Sequence, residues 1–371
     1  MSLHLLRTSP LIACAVFAAP LLFAVACAGA ASEDDFSADA PYVNSAVERS
    51  PVSNLALPAL PDGTTAIPAP AGTDCDLTIL NWAGFDGAAS YSFDDGQPSH
   101  VAHWPELKAT GVPMTFYLTP NMHTTSSDAA VAAWKDALSA GCELGNHTLR
   151  HDHYSAYTAD TANADVADCA TYIQTTLGGS ASCSFAYPYG ETNWKNNFGG
   201  RFLFARTINS GTVKPLDSTD PLGLPVFFVD AGQTNSAFNA ALDKSASEKS
   251  WVIFLFHSLL PTDSNWYAGV QASDVTASIG HAKRGGNIWV DTVETVGSYW
   301  LAQKTLSAVV PTGNADAKTW TWSLPAGYPS GKYLRVTVSG GTLSQGGVDI
   351  SWNPRGFYEV SLDNGSLNWR K

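Results

Sequence analysis

The chain predicts an α/β fold, a parallel sheet closed into a barrel, and three features point there. Between about Cys75 and Lys304, short apolar runs alternate with amphipathic stretches, which is the pattern of repeated strand–helix units. The number of repeats suits a barrel. Two of the runs end in clustered acidic or imidazole side chains, as strands do when their carboxyl ends build a site at the mouth of such a fold.

The candidate strands are 88–93, 112–118, 142–147, 183–187, 202–207, 225–229, 251–256 and 287–290. Helical periodicity falls between several of them, over Ala129–Ala140, Ala162–Leu177, Ala237–Glu248 and Thr292–Lys304. From about Ser307 the texture changes. Residues 319–324, 332–339, 347–352 and 356–362 alternate apolar and polar positions between Gly, Pro and Asn turns, predicting a small antiparallel β module over 307–371. Its Trp320, Trp322, Trp352 and Trp369 could stack on sugar rings, but so small a module needs large side chains for its own core, and that reading is preferred.

Ahead of the barrel, a short start carrying Arg7 leads into an apolar run from Leu11 to Ala26, the layout of a secretory signal over 1–30. An exported protein is expected: secreted, periplasmic or lipid-anchored at the cell envelope. Ala24-Val25-Ala26-Cys27 resembles a lipoprotein box, which would anchor the chain through Cys27, whereas Ala28-Gly29-Ala30 would suit ordinary signal peptidase. Residues 31–73 are rich in Ala, Ser and Pro with no sustained period and read as a disordered tether.

A net charge of −13 argues against nucleic acid or an anionic membrane surface as partner. Twelve Trp and 13 Tyr against only 14% charged residues suit a neutral, ring-shaped ligand. In an oxidising compartment Cys75, Cys142, Cys169 and Cys183 would form disulfides. Cys169 and Cys183 lie closest in sequence, leaving Cys75 for Cys142. No Cys-x-x-Cys spacing supports a zinc–thiolate site instead.

The chemistry concentrates in Tyr91-Ser92-Phe93-Asp94-Asp95-Gly96 and, about fifty residues on, in His147-Thr148-Leu149-Arg150-His151. Two imidazoles and a carboxylate form a three-ligand set that leaves a divalent metal an open position for water. Adjacent residues on a strand face opposite ways, so Asp94 and Asp95 serve one site only if the chain turns there, and Gly96 permits that turn.

These stretches resemble the first two motifs of the polysaccharide deacetylase family, the NodB-like carbohydrate esterases of family four. Ala186-Tyr187-Pro188-Tyr189-Gly190 looks like the third motif and Leu255-Phe256-His257 like the Leu-x-His near the domain end. Four motifs in order over roughly Ala88 to Gln303 are far more specific than any one alone.

The resemblance implies an irregular (β/α)7 barrel over 74–306 and a metal, most often zinc, held by Asp95, His147 and His151. It implies Asp94 as general base, His257 as the acid that protonates the leaving group, Leu255 against the acetyl methyl and the Tyr189 backbone N–H at the oxyanion. The partner would be an acetylated glycan: chitin-type oligosaccharide, peptidoglycan or acetylxylan.

Two positions depart from the pattern. Ala186 stands where relatives often carry an arginine that lies against the base, and Arg206 on the next strand is the candidate replacement, with a substrate-binding or exterior position as the alternative. The fourth-motif Asp has no clear counterpart, and Asp230 stands in for it. His100, His103, His123, His153 and His281 match no motif position and read as surface or supporting residues. Ser258 lacks a nucleophile elbow. The rivals are a non-catalytic glycan-binding protein on the same scaffold and a glycoside hydrolase, which needs two carboxylates and no metal.

Overall fold

The structure is a computed structural model that describes residues 56–61, 65–122, 125–180, 182–262 and 265–371. Its centre is a closed parallel barrel of seven strands: β1 (Gly87–Phe93), β2 (Thr115–Leu118), β3 (Glu143–Asn146), β4 (Ser184–Ala186), β5 (Phe204–Ser210), β6 (Leu224–Phe228) and β7 (Trp251–Phe256). They pair in chain order, and β7 closes the ring on β1 along Ala88–Phe93. An eighth strand, β8 (Ile288–Val290), lies outside the ring and pairs with Gly87–Ala89, while Ser92–Phe93 at the other end of β1 pairs with β2. This shared edge of β1 makes the barrel irregular.

The run Trp251-Val252-Ile253-Phe254-Leu255-Phe256 is buried throughout, as expected of a parallel strand covered on both faces. On β1 the period is two. Ala89, Tyr91 and Phe93 pack in one cluster with Trp104, Leu107, Val275 and Ile279 of the surrounding helices. Ser90 and Ser92 take the other face. There Ser90 Oγ accepts from the Trp251 indole at 3.0 Å, and Ser92 Oγ donates to Phe254 O at 2.6 Å.

Among the described residues six α-helices flank the strands: α1 (Pro98–Ala109), α2 (Asp128–Ser139), α3 (Ala159–Thr175), α4 (Asn235–Glu248), α5 (Ala272–Gly285) and α6 (Val293–Ser307). Side-chain caps start three of them: Ser127 before α2, Thr158 in a capping box with Thr161 before α3, and Thr292 before α6. The sequence reading does not include α1 or α5. Pro105 and two histidines interrupt the first, whereas the second carries Ala272, Val275, Ile279 and Ala282 on one face at helical spacing, a stripe of small side chains that the reading passes over.

The C-terminal strands form two separate sheets, one of five strands and one of three that also includes Thr78–Ile79 from before the barrel. Trp320, Trp322 and Trp369 are buried in a cluster that runs without a break into Val293, Val296 and Trp300 of α6 and the barrel residues Phe204 and Leu255. These three indoles are core. Trp352 is half-buried and donates to Ile67 O at 2.8 Å.

Within the stretch read as a tether, Leu57 and Pro58 are held in place. Arg335, fully buried, donates to Leu57 O (3.0 Å), Pro58 O (2.7 Å) and Ala83 O (3.0 Å) while pairing with Glu359 at 3.1 Å. A guanidinium has five N–H donors in a fixed fork and needs several acceptors when buried, and the incoming chain supplies them. The signal and lipid-anchor expectations, including Cys27, lie outside the described residues.

The disulfide expectation is not met: Cys75, Cys142, Cys169 and Cys183 are all free. Cys169 and Cys142 pack in the cluster between barrel and helices, and Cys169 Sγ donates to Leu118 O at 3.3 Å. Cys183 and Cys75 belong to the cluster that continues into the C-terminal sheets, so each expected pair is split between two cores. The buried thiols behave as small hydrophobes, and burial pushes Cys142 up to about 11 and Cys169 up to about 12.

Candidate metal centre

The expected turn is present, and it begins at Asp95 itself. β1 ends at Phe93; Asp95 has φ +73° and Gly96 φ +59°. A Cβ at Gly96 would come within 2.8 Å of Thr125 Cγ2, so the second left-handed residue must be glycine for room as well as for conformation. Reversal at Asp95 brings a carboxylate that strand alternation would send outward back to the side that Asp94 faces.

The second stretch is folded just as tightly. Asn146, the last residue of β3, accepts the Thr148 N–H at 2.9 Å and donates to Val166 O of α3 at 2.9 Å. Asp165 accepts the Leu149 N–H at 2.7 Å, and Thr148 Oγ1 accepts that of His151 at 3.1 Å. Thr148 and His151 are left-handed (φ +65° and +56°), as is Tyr189 after β4 (φ +54°). Three of the eight non-glycine residues with positive φ among the described residues therefore line one cleft, and a fourth, Thr148, follows His147 directly; surrounding bonds hold an otherwise costly backbone there.

These turns gather the predicted ligands. The Nε2 atoms of His147 and His151 each lie 3.4 Å from Asp95 Oδ1, and one ligand atom from each residue falls within 4.8 Å of the others. His147 Nδ1 donates to Ala186 O at 2.8 Å, which fixes the tautomer and leaves Nε2 as a free lone pair. Asp95 Oδ1 is buried without a hydrogen-bond partner, while Oδ2 accepts from Gln97 Nε2 at 3.1 Å.

An orphaned carboxylate oxygen between two imidazole nitrogens is the arrangement a divalent cation completes, and the N,N,O donor set fits zinc and its neighbours. Burial alone would raise the Asp95 carboxyl, but the imidazoles around it, His147 first and then His151 and His257, outweigh burial and hold it well below the usual carboxylate range. Burial, with His147 beside it, lowers His151 to about 4, keeping this imidazole in the neutral form that ligates.

Asp94 is bonded to a different partner. Arg206, fully buried on β5 in register with Ala186 of β4, donates from Nη2 to Asp94 Oδ1. The guanidinium lies 5.0 Å over the Tyr117 ring, and that ring fills the space where a Gly145 Cβ would meet it at 2.3 Å. A cation one strand over thus takes the place beside Asp94 that the Ala186 methyl cannot fill. Burial would raise the Asp94 carboxyl; the charges of Arg206, His147 and His257 outweigh it and hold Asp94 below its ordinary value.

His257 follows β7 with its ring 4.8 Å from Tyr267 and 5.9 Å from Phe228, and burial lowers its pKa against the pull of Asp94 and Asp95. Leu255 is fully buried and faces the same cleft, which holds about 460 Å³ and is also lined by Asp94, Asp95, His147, His151 and Tyr189. The Tyr189 ring lies 4.6 Å from that of His151 and stacks on His153 at 3.7 Å.

Asp230, the stand-in for the fourth-motif acid, is exposed, takes no part in the cleft, and uses its N–H to bond Gln233 Oε1 at 3.2 Å. His257 Nδ1 is buried without a partner. His100 is a buried support, its Nε2 donating to His257 O at 2.6 Å. His281 pairs with Asp243 at the surface, His103 bonds Pro261 O at 2.7 Å, and His123 lies outside the described residues. The sequence reading missed Gln97, Ser99 and the bonding role of Ser258. Their only signal is position, just after the Asp pair and just after His257.

Residues 86–198 match the family model for polysaccharide deacetylase. The match contains Asp94, Asp95, His147, His151 and Tyr189; Arg206, Leu255 and His257 lie beyond its end. No curated protein matches the chain. Among solved structures, a Mycobacterium smegmatis protein described as a polysaccharide deacetylase is 16% identical, with 65% of this chain and 96% of that one covered and a TM-score of 0.49. A family 4 acetyl xylan esterase from Clostridium thermocellum, solved with cobalt, is 18% identical over 56% of this chain and 89% of its own, TM-score 0.40. A family 4 carbohydrate esterase from Streptomyces lividans, solved with acetate, is 16% identical over 56% and 92%, TM-score 0.38.

Replacing Arg206 by Ala tests the electrostatics of Asp94. Losing the cation that depresses its pKa raises that pKa, so the acid limb of the pH–rate profile should move to higher pH. An acid limb that stays in place would mean that Arg206 does not tune Asp94.

Proposed function

We propose that the chain is an exported, metal-dependent deacetylase that removes acetyl groups from a glycan. Substrates containing N-acetylglucosamine, such as chitin-type oligosaccharide or peptidoglycan, come first and acetylxylan next. The observation that carries this reading is a buried Asp95–His147–His151 set beside a second carboxylate, Asp94, that has its own cation. A glycoside hydrolase needs two carboxylates but no imidazole cage, and a binding module has no use for a buried carboxylate oxygen left without a partner.

Asp95, His147 and His151 would hold the cation, which when bound polarises the acetyl carbonyl and acidifies water. Asp94, kept ionised by Arg206, accepts a proton from the attacking water. The Tyr189 N–H, on its left-handed turn, donates to the carbonyl oxygen as charge develops there. Leu255 closes the floor around the methyl group. His257 delivers a proton to the departing nitrogen or oxygen, and its lowered pKa makes the imidazolium a ready donor. Asp94 then holds the proton taken from water and His257 is neutral, so before the next turnover Asp94 releases its proton and His257 takes one up from solvent.

A ring-shaped, uncharged substrate is supported by the rim. Tyr189, Ile208, Trp266 and Tyr267 are between 44% and 58% exposed and all border this cleft, half of the eight large hydrophobic side chains exposed among the described residues. Faces of this kind take sugar rings. Export is supported by the apolar run from Leu11 to Ala26.

Acetate release from a panel of acetylated glycans should disappear with a chelator and return with Zn²⁺, and His147→Ala should lose both metal and activity. Release that is indifferent to chelator would end the metal reading. His257→Ala should cost on the order of a hundredfold or more on amides but far less on activated aryl acetates, whose leaving group needs no proton. Equal losses on both would assign His257 to binding. Sequencing the mature N-terminus decides the export route: a lipid-modified Cys27 indicates an anchor, Ala31 a soluble protein, and an intact Met1 contradicts export.

A further inference from the structure

Gln97 and the first turn of α1 that follows it are bonded at three points to the segment after β7. His100 Nε2 donates to His257 O at 2.6 Å, Ser99 Oγ accepts the Leu259 N–H at 3.1 Å, and Gln97 meets Ser258 at 2.5 Å. Gln97 and Ser258 are fully buried, and neither has a role in the mechanism above.

Their chemistry fixes a direction. Asp95 Oδ2 belongs to an ionised carboxylate and can only accept, so Gln97 must turn its NH2 toward it. The Gln97 carbonyl oxygen then faces Ser258, whose hydroxyl must donate. The remaining lone pairs of Ser258 Oγ accept the backbone N–H groups of Trp266 (3.0 Å) and Tyr267 (3.2 Å). The bonds run one way, from the aromatic wall of the cleft through Ser258 and Gln97 to Asp95. Reversing any link would leave a buried donor facing a donor or an acceptor facing an acceptor.

We propose that Gln97 and Ser258 are positioning residues that set the metal ligand and the Trp266–Tyr267 wall as one unit. Gln97 occupies Oδ2 of Asp95, which aims the free Oδ1 at the two imidazoles. Ser258 holds Gln97 in that orientation and at the same time fixes where the wall stands. Cation affinity and glycan binding are then linked through residues that touch neither. This inference rests on the metal reading above.

The test titrates Zn²⁺ calorimetrically into metal-free wild type, Gln97→Met and Ser258→Ala, alongside thermal unfolding of each with and without Zn²⁺. Supporting groups of metal ligands typically contribute ten- to a hundredfold in affinity. Gln97→Met should therefore bind Zn²⁺ about ten- to a hundredfold more weakly and lose most of the Zn²⁺-induced rise in melting temperature. Ser258→Ala should weaken Zn²⁺ in the same direction and also raise KM for an acetylated glycan oligomer while leaving KM for a small aryl acetate unchanged. A merely structural role would lower the melting temperature of the metal-free protein and leave its Zn²⁺-induced rise intact. Wild-type Zn²⁺ affinity in a folded Gln97→Met overturns the proposal and leaves the deacetylase reading standing. Should Gln97→Met not fold, Ser258→Ala, which deletes a single oxygen, decides by the same criterion. A wild-type protein that binds no divalent cation removes both.

Discussion

Two consecutive carboxylates on a strand point to opposite sides of the sheet, and the site exists because the backbone reverses between them. The left-handed conformation of Asp95, continued by Gly96, is the constraint from which the rest follows. Asp94 keeps the direction that β1 gives it and meets Arg206. Asp95, turned back, meets His147 and His151. A regular strand end would leave one of the two carboxylates against the helices and separate Asp95 from the two imidazoles. The same kind of backbone recurs at Thr148, His151 and Tyr189, and the bonds from Asn146, Asp165 and Thr148 hold it there.

The two carboxylates are then separated in role by their neighbours. Both are buried, which on its own would drive them toward the neutral form, and each is returned to the charged form by a different partner. Asp95 faces imidazoles that are themselves oriented, His147 by the Ala186 carbonyl. Asp94 faces a guanidinium carried by β5. The pair Asp94–Arg206 places two charges where a removal on either side would strand the other, so it serves electrostatic tuning at the cost of fault tolerance. Space for it comes from Gly145, whose missing side chain lets the Tyr117 ring lie flat beneath the guanidinium.

The barrel and the C-terminal sheets are bound by one continuous apolar cluster through α6, and Thr78–Ile79 pairs across to the later sheet before the barrel begins. Arg335 ties residues 57 and 58 to the same region. The tryptophans of those sheets are therefore committed to packing, and the exposed aromatic faces collect instead at the mouth of the barrel, around the proposed chemistry.

Much of this was legible in the sequence because it depends on local pattern. Eight apolar runs marked eight strands, and the adjacency of Asp94, Asp95 and Gly96, with His147 four residues before His151, marked the ligand set and the need for a turn. Four helices are legible from their period; in α1 Pro105 blurs the stripe, while the stripe of α5, Ala272, Val275, Ile279 and Ala282, is present but made of small side chains and is passed over. What only the tertiary structure decided are the relations between distant segments. Register between β4 and β5 put Arg206 beside the position of Ala186, and packing on opposite sides of the sheet split the cysteines that proximity in sequence would pair. The bonds from Trp266 and Tyr267 through Ser258 and Gln97 to Asp95 join residues some 160 positions apart, and no local propensity encodes them. A sequence records which groups a strand delivers and at what spacing; which of them share a hydrogen bond depends on how the ring of strands closes.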